Sequence, residues 1–206
     1  MGHKVASVQS LYDDSVALYN NVVEGDNDFS ANRVIRDLED GIANLKENWK
    51  GKDAGAQINN IIGVLNAMVT VRNALGTLSK ESSKVASNYR DIQNSNGAGL
   101  ESFAVLNSED KVGMEAYSDD RDVIDIRPEV SGGLSKIQAA QSELESFIAE
   151  TKKACDRIME NWTDGDTNRE QAKSAIEAFY NNADTYKETL AQAAKSADTA
   201  VQNYRM

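Results

Sequence analysis

The chain holds a single proline, Pro128, in 206 residues. Proline costs about 3 kcal/mol inside a helix, whereas Ala, Leu, Glu, Lys and Gln cost little there. A sequence rich in those residues and nearly free of proline is therefore open to long helices. Aromatic residues make up only 6%, which excludes a core built on rings and calls for aliphatic side chains spread along elongated helices. The lone cysteine, Cys155, excludes an intrachain disulfide and reads as a small apolar seam residue. With one histidine, His3, the chain offers no nucleophile–base pair and no Cys/His set for zinc. No glycine-rich segment joins a strand to a helix as a phosphate loop does, and the acidic run 119–122 lacks a calcium-binding loop. The carboxylates read as scattered over solvent faces. Catalysis, a cofactor and a metal are not expected. A net charge of −11 repels phosphate backbones, so a nucleic acid partner is not expected either.

Long apolar runs are also missing. The longest, residues 58–71, is interrupted by Asn59, Asn60, Asn66 and Thr70, short of the ~18 apolar residues of a membrane span. Met1-Gly2-His3-Lys4 is not followed by the apolar stretch of a signal peptide. The expectation is a soluble chain with no membrane span and no cleavable leader.

What is present is repetition. Glu47-Asn48-Trp49 recurs as Glu160-Asn161-Trp162, 113 residues on. Asn88-Tyr89-Arg90 recurs as Asn203-Tyr204-Arg205, 115 residues on. Apolar residues at alternating steps of three and four lead into each tryptophan: Ile35, Leu38, Ile42 and Leu45 before Trp49, and Leu144, Ile148, Cys155 and Ile158 among those before Trp162. This spacing is the seam of a helix packed on a partner helix. Similar stripes follow each tryptophan, one ending at Tyr89 and the other at Tyr204; Arg72 interrupts the first, with its stem expected to pack and its head to reach solvent.

The turns fit this reading. Gly51 leaves the first helix through positive φ, and Asp53 is expected to cap the next. In the second copy Asp164-Gly165-Asp166 makes the turn, and Thr167 with Glu170 forms a capping box. The sequence thus divides into an N-terminal helix and break (1–29), a first helix–turn–helix repeat (30–96, with Ser30 as its cap), an acidic connector (97–127, briefly extended at 123–126) and a second repeat (128–206). The expected fold is all-α: two antiparallel helical hairpins in an elongated four-helix-bundle-like structure, plus the N-terminal helix. If the two hairpins complete one bundle, the chain can be monomeric at micromolar concentration.

A helical hairpin with Trp-x-Gly at its turn, here Trp49-Lys50-Gly51, resembles the WXG-motif family, the early secreted antigenic target-like hairpins exported by bacterial type VII secretion systems. The second copy departs by one residue, as Trp162-Thr163-Asp164-Gly165. Members are about one copy long and pair into four-helix bundles, so two fused copies look like such a dimer made in one chain. The family's export signal, Tyr-x-x-x-Asp/Glu, maps onto Tyr89 and Tyr204. Tyr89 is followed by Gln93 at the acidic position, and only two residues follow Tyr204. Tyr180-Asn181-Asn182-Ala183-Asp184 fits the pattern but falls mid-helix.

The resemblance implies a non-enzymatic, secretion-associated protein, secreted without a cleavable signal peptide. Its partners would be the secretion machinery, an effector or a WXG-like protein, met through Trp49, Gly51, Trp162, Gly165, Tyr89 and Tyr204. Two other readings stay open: a cytoplasmic adaptor for a secreted toxin, and a structural helical assembly protein unrelated to secretion.

Overall fold

The computed structural model describes residues 7–163 and 167–205. Residues 4–6 of the expected first helix, the Met1–Lys4 start, the turn Asp164-Gly165-Asp166 and Met206 lie outside the described residues. The chain is all-α. Among the described residues the elements are α1 (Val8–Tyr19), α2 (Ala31–Asn48), β1 (Trp49–Lys50), α3 (Lys52–Ser95), β2 (Asp125–Ile126), α4 (Val130–Asn161) and α5 (Thr167–Arg205). A π-helical turn, Asn20–Glu24, continues α1. Ser7 and Ser30 cap α1 and α2, their hydroxyls accepting from the N–H of Ser10 (3.1 Å) and Arg33 (3.3 Å). β1 and β2 form one antiparallel ribbon, pairing Trp49 with Ile126 and Lys50 with Asp125.

Helix lengths explain how the elements stack. At 1.5 Å per residue the 44 residues of α3 span about 66 Å, and the 18 of α2 about 27 Å. α2 alone cannot cover the apolar face of α3. α1 covers the remainder: the Ser15 and Ser82 hydroxyls lie 2.7 Å apart, and Arg90 near the end of α3 donates to Gln9 (2.8 Å). The segment set outside the repeat by sequence thus packs on α3 and also on α4.

α4 runs antiparallel to α1 and α2. Asn161 donates to Asp14 (2.9 Å), Arg33 to Glu143 (3.1 Å) and the Gly133 N–H to Asn44 (3.1 Å). α5 returns against α3 and α4, with the Tyr180 hydroxyl reaching the Lys152 carbonyl (2.9 Å) and the Tyr204 hydroxyl bonded to Asp53. α3 and α4 therefore share a direction, opposed by α1, α2 and α5. The seams read from sequence line the interior: Ile35, Leu38, Ile42, Leu45, Leu144, Ile158 and both tryptophans are buried. Cys155 sits there too, its thiol pushed up to about 12 by burial and by the charge of Asp156. α3 departs from the expectation of no membrane-length apolar run: an 18-residue stretch reaches a mean hydropathy of 1.4, and 61% of it is buried inside the chain.

The α2–α4 contact is close because glycines face each other. A Cβ on Gly133 would lie 2.9 Å from the Gly41 carbonyl and 2.8 Å from the Asn44 Oδ1, and one on Gly41 would lie 2.7 Å from Ile137. The same contact overturns the expectation that all carboxylates lie in solvent. Asp37 and Glu143 are both buried there. Lys136 donates to Asp37 (2.9 Å), and Arg33 bridges Glu143 (3.1 Å) and Asp37 (3.5 Å). Burial, then the hydrogen bond and charge of Asp37, raise Glu143 above the usual carboxylate range against the pull of Arg33. Burial also raises Asp37, but its bonds to Lys136 and Glu143 and the charges of Lys136 and Arg33 outweigh it and hold it low.

Two outcomes follow for stability. Gly133→Ala is expected to lose about 1–3 kcal/mol in urea unfolding, because backbone lies in the way. Gly63→Ala in α3, where nothing lies within 4 Å, is expected to gain about 0.5–1 kcal/mol; equal effects would refute the close-approach account. Glu143 contributes stability that is complete below its ordinary 4.5 and is lost as pH rises through its higher folded value. Asp37 works the other way, contributing above 3.8 and losing this as pH falls through its lower folded value. Unfolding followed upward from about pH 4.5 should show a decline in the native chain that Glu143→Gln lacks; parallel curves would contradict the raised Glu143.

Candidate functional site

A tryptophan stands at each end of the bundle. Trp49 ends α2 and opens β1, beside the start of α3; Trp162 ends α4, which runs for 32 residues, about 48 Å, from the Trp49 end. Each ring is fully buried. Each backbone N–H closes the preceding helix, Trp49 on Leu45 and Trp162 on Ile158 (2.8 Å). Each indole N–H is buried without a hydrogen-bond partner among the described residues. The rings hence occupy alike surroundings, and both leave one buried donor unpaired, which costs about 1–3 kcal/mol. Trp162 also offers its carbonyl to the guanidinium of Arg169.

At the Trp49 end, Gly51 has φ 115° and a Cβ there would lie 2.4 Å from the Val123 carbonyl, so the position requires glycine twice over. Gly51 is also the residue before α3, and Asp53 does not cap that helix: the cap carries no side-chain bond, and the Asp53 carboxylate takes the Tyr204 hydroxyl instead. The helix starts at Lys52, earlier than read from sequence, so Asp53 falls within its first turn. The carboxylate that reaches Gly51 N–H (3.1 Å) is Asp119 from the connector. Asp119 is gripped by Arg121 through Nε (2.7 Å) and Nη2 (2.6 Å), and the Tyr117 hydroxyl lies 3.4 Å away. The Arg121 bonds, helped by the Gly51 and Arg121 N–H groups, hold this carboxyl well below the usual range despite its burial. Burial and the Asp119 charge push the Tyr117 phenol up.

The connector that delivers Asp119 is tied down by asparagines seven residues apart on α3. Asn59 donates to the Tyr117 carbonyl (2.7 Å) and accepts from its N–H (2.8 Å). Asn66 does the same with Met114 (2.9 and 2.8 Å), and Asn73 with Lys111 (2.9 and 2.9 Å). Seven helical residues rise about 10.5 Å, and three fully extended residues span about 10–11 Å. The two repeats match only if the connector is stretched out antiparallel to α3. Arg72 joins this strap rather than reaching solvent, bonding the Glu109 carbonyl and Asn73.

Of the residues singled out by sequence, the structure brings Trp49, Gly51 and Tyr204 to one end. Tyr89 is half-buried near the other end, one residue before Arg90, and Gly165 is outside the described residues. Tyr180 is turned onto α4, bonded to Lys152 and Asp156. Sequence reasoning missed Asp119, Tyr117 and the asparagine ladder; the signal was the seven-residue spacing of Asn59, Asn66 and Asn73. Among the described residues no group of three or more His, Cys, Asp or Glu is placed to hold a metal. No protein-family model matches the chain, and no curated protein or solved structure matches it.

Trp49→Ala and Trp162→Ala are each expected to cost about 3–5 kcal/mol in chemical unfolding. Phe at either position should restore most of that loss, because the deleted N–H has no acceptor to leave behind. If Phe proves as damaging as Ala, the indole N–H is bonded in solution and the unpaired donor is refuted.

Proposed function

We propose that this chain is a non-enzymatic partner protein or substrate of a type VII-like secretion system, a tandem WXG-like protein that engages other proteins at its tryptophan ends. One observation carries this reading: two buried indoles stand at the ends of α2 and α4, at opposite ends of the bundle, each with its N–H unpaired among the described residues. Exchanging α1 and α2 with α4, and α3 with α5, preserves the set of helix neighbours, as expected of two hairpins fused in one chain. The mismatch at Gln93 means that Tyr89 does not complete a Tyr-x-x-x-Asp/Glu signal. In this reading a partner supplies that signal, and the Trp49 end, where Tyr204 meets Asp53, is where the partner is held.

The test is export in the native host. The chain is expected in the culture medium of the parent strain and only in the cells of a strain lacking the secretion ATPase. Trp49→Phe and Trp162→Phe, folded by circular dichroism, are expected to reduce export. Recovery from the medium that ignores the ATPase, or retention in the cells of both strains, would overturn the reading.

A further inference from the structure

The ribbon at the Trp49 end has an open side. Arg127 N–H donates to the Asn48 carbonyl (2.9 Å), and the pairs Trp49 with Ile126 and Lys50 with Asp125 set the register. In an antiparallel ladder, alternate residues direct their backbone groups to the partner strand and the residues between direct theirs away. Asp125 and Arg127 thus face β1, and the N–H and C=O of Ile124 and Ile126 face the other edge. An unpaired edge is a template for another strand. Beside this one, Val123 is 57% exposed and Ile124 52%, a pair of β-branched side chains that the chain leaves more than half open to solvent.

The charge around the edge selects the occupant. Between residues 119 and 129 five are acidic and two basic. Arg121 is committed to Asp119, and Lys52 to Asp122 (2.5 Å). Asp120 and Asp125 are exposed. A second copy of this edge would bring like charges opposite one another, which disfavours pairing. The same carboxylates attract a strand that carries cations. The edge is also held in place for a guest, since Gly51 contacts the Val123 carbonyl and Asp119 anchors the chain four residues before.

We propose that residues 123–126 form a β-augmentation site. It takes an extended segment of another protein that carries Lys or Arg at alternate positions and apolar, β-branched residues between them. Backbone bonds to Ile124 and Ile126 give affinity, and Val123, Ile124 and the flanking carboxylates give preference. The site shares the Trp49 end with the function proposed above but does not rest on it.

The probe is a short capped peptide of alternating Lys and Val, titrated into the isotope-labelled full chain. Saturable amide shifts confined to residues 123–126, with hydrogen exchange at Ile124 and Ile126 slowed at least about tenfold, are expected. Backbone N-methylation of every second peptide residue should abolish both. Ile124→Pro removes one donor of the edge, and Val123→Lys adds a like charge. Each variant, with unchanged thermal unfolding, should weaken binding at least about tenfold. A peptide with Glu in place of Lys that bound equally well would overturn the charge argument. Shifts spread over the helices, shifts that survive N-methylation, or no saturable shift at about 1 mM peptide would overturn the site. Failure here leaves ATPase-dependent export untouched, and loss of that dependence leaves peptide binding untouched, so the two ideas fail separately.

Discussion

A carboxamide carries a donor and an acceptor side by side, the same pair that a peptide unit shows to its neighbour in a sheet. Three such groups along one face of α3 do for the connector what a second strand would do, bonding both N–H and C=O of Lys111, Met114 and Tyr117. The rest of the arrangement depends on this. Long segments without regular structure are uncommon inside compact domains, and this one is held straight. Because it is held straight and runs back along α3, it delivers β2 beside Trp49 and starts α4 at the same end as α3. α4 then has to finish at the far end, carrying Trp162 with it. A connector left loose would permit α4 to begin at either end of the bundle.

The second determinant is the α2–α4 contact. Its glycines bring two backbones close, and the space so defined is crossed by Arg33, Asp37, Lys136 and Glu143. Burying two carboxylates under partly exposed cations is weak support for stability, since the loss of hydration offsets much of the attraction. Its effect lies in register. Sliding α4 by one turn would separate Lys136 from Asp37 and Arg33 from Glu143, leaving the two buried carboxyl groups without their partners. The aliphatic seams on either side tolerate such a shift far better, because one branched side chain replaces another.

Local features were legible in the sequence and those that depend on distant partners were not. The seams before each tryptophan, the cap at Ser30 and the positive φ of Gly51 follow from local pattern and local chemistry. The ladder was hidden because Asn59 and Asn66 look like interruptions of an apolar run until their common face is known. α1 looked separate because the need for it appears only when α3 is seen to be more than twice as long as α2. Asp53 was a reasonable cap, but α3 starts at Lys52 and takes it into the first turn. Asp37 and Glu143 are 106 positions apart, and nothing in either neighbourhood marks them as a pair. Of the site residues, Trp49, Gly51 and Tyr204 were found by motif, whereas Asp119 and Arg121 read only as part of an acidic run.

The seven-to-three correspondence between α3 and the connector also bears on how such a chain changes length over time. Two helical turns added to α3 below Asn59 or between its asparagines would need three more residues in the strap to keep the ladder in phase. An insertion in one alone would buckle the strap or break the ladder. Lengthening of this bundle is thus quantised, with paired insertions of unequal size at sites far apart in the gene. That signature would distinguish relatives built on the same ruler from helical bundles that share only their apolar periodicity.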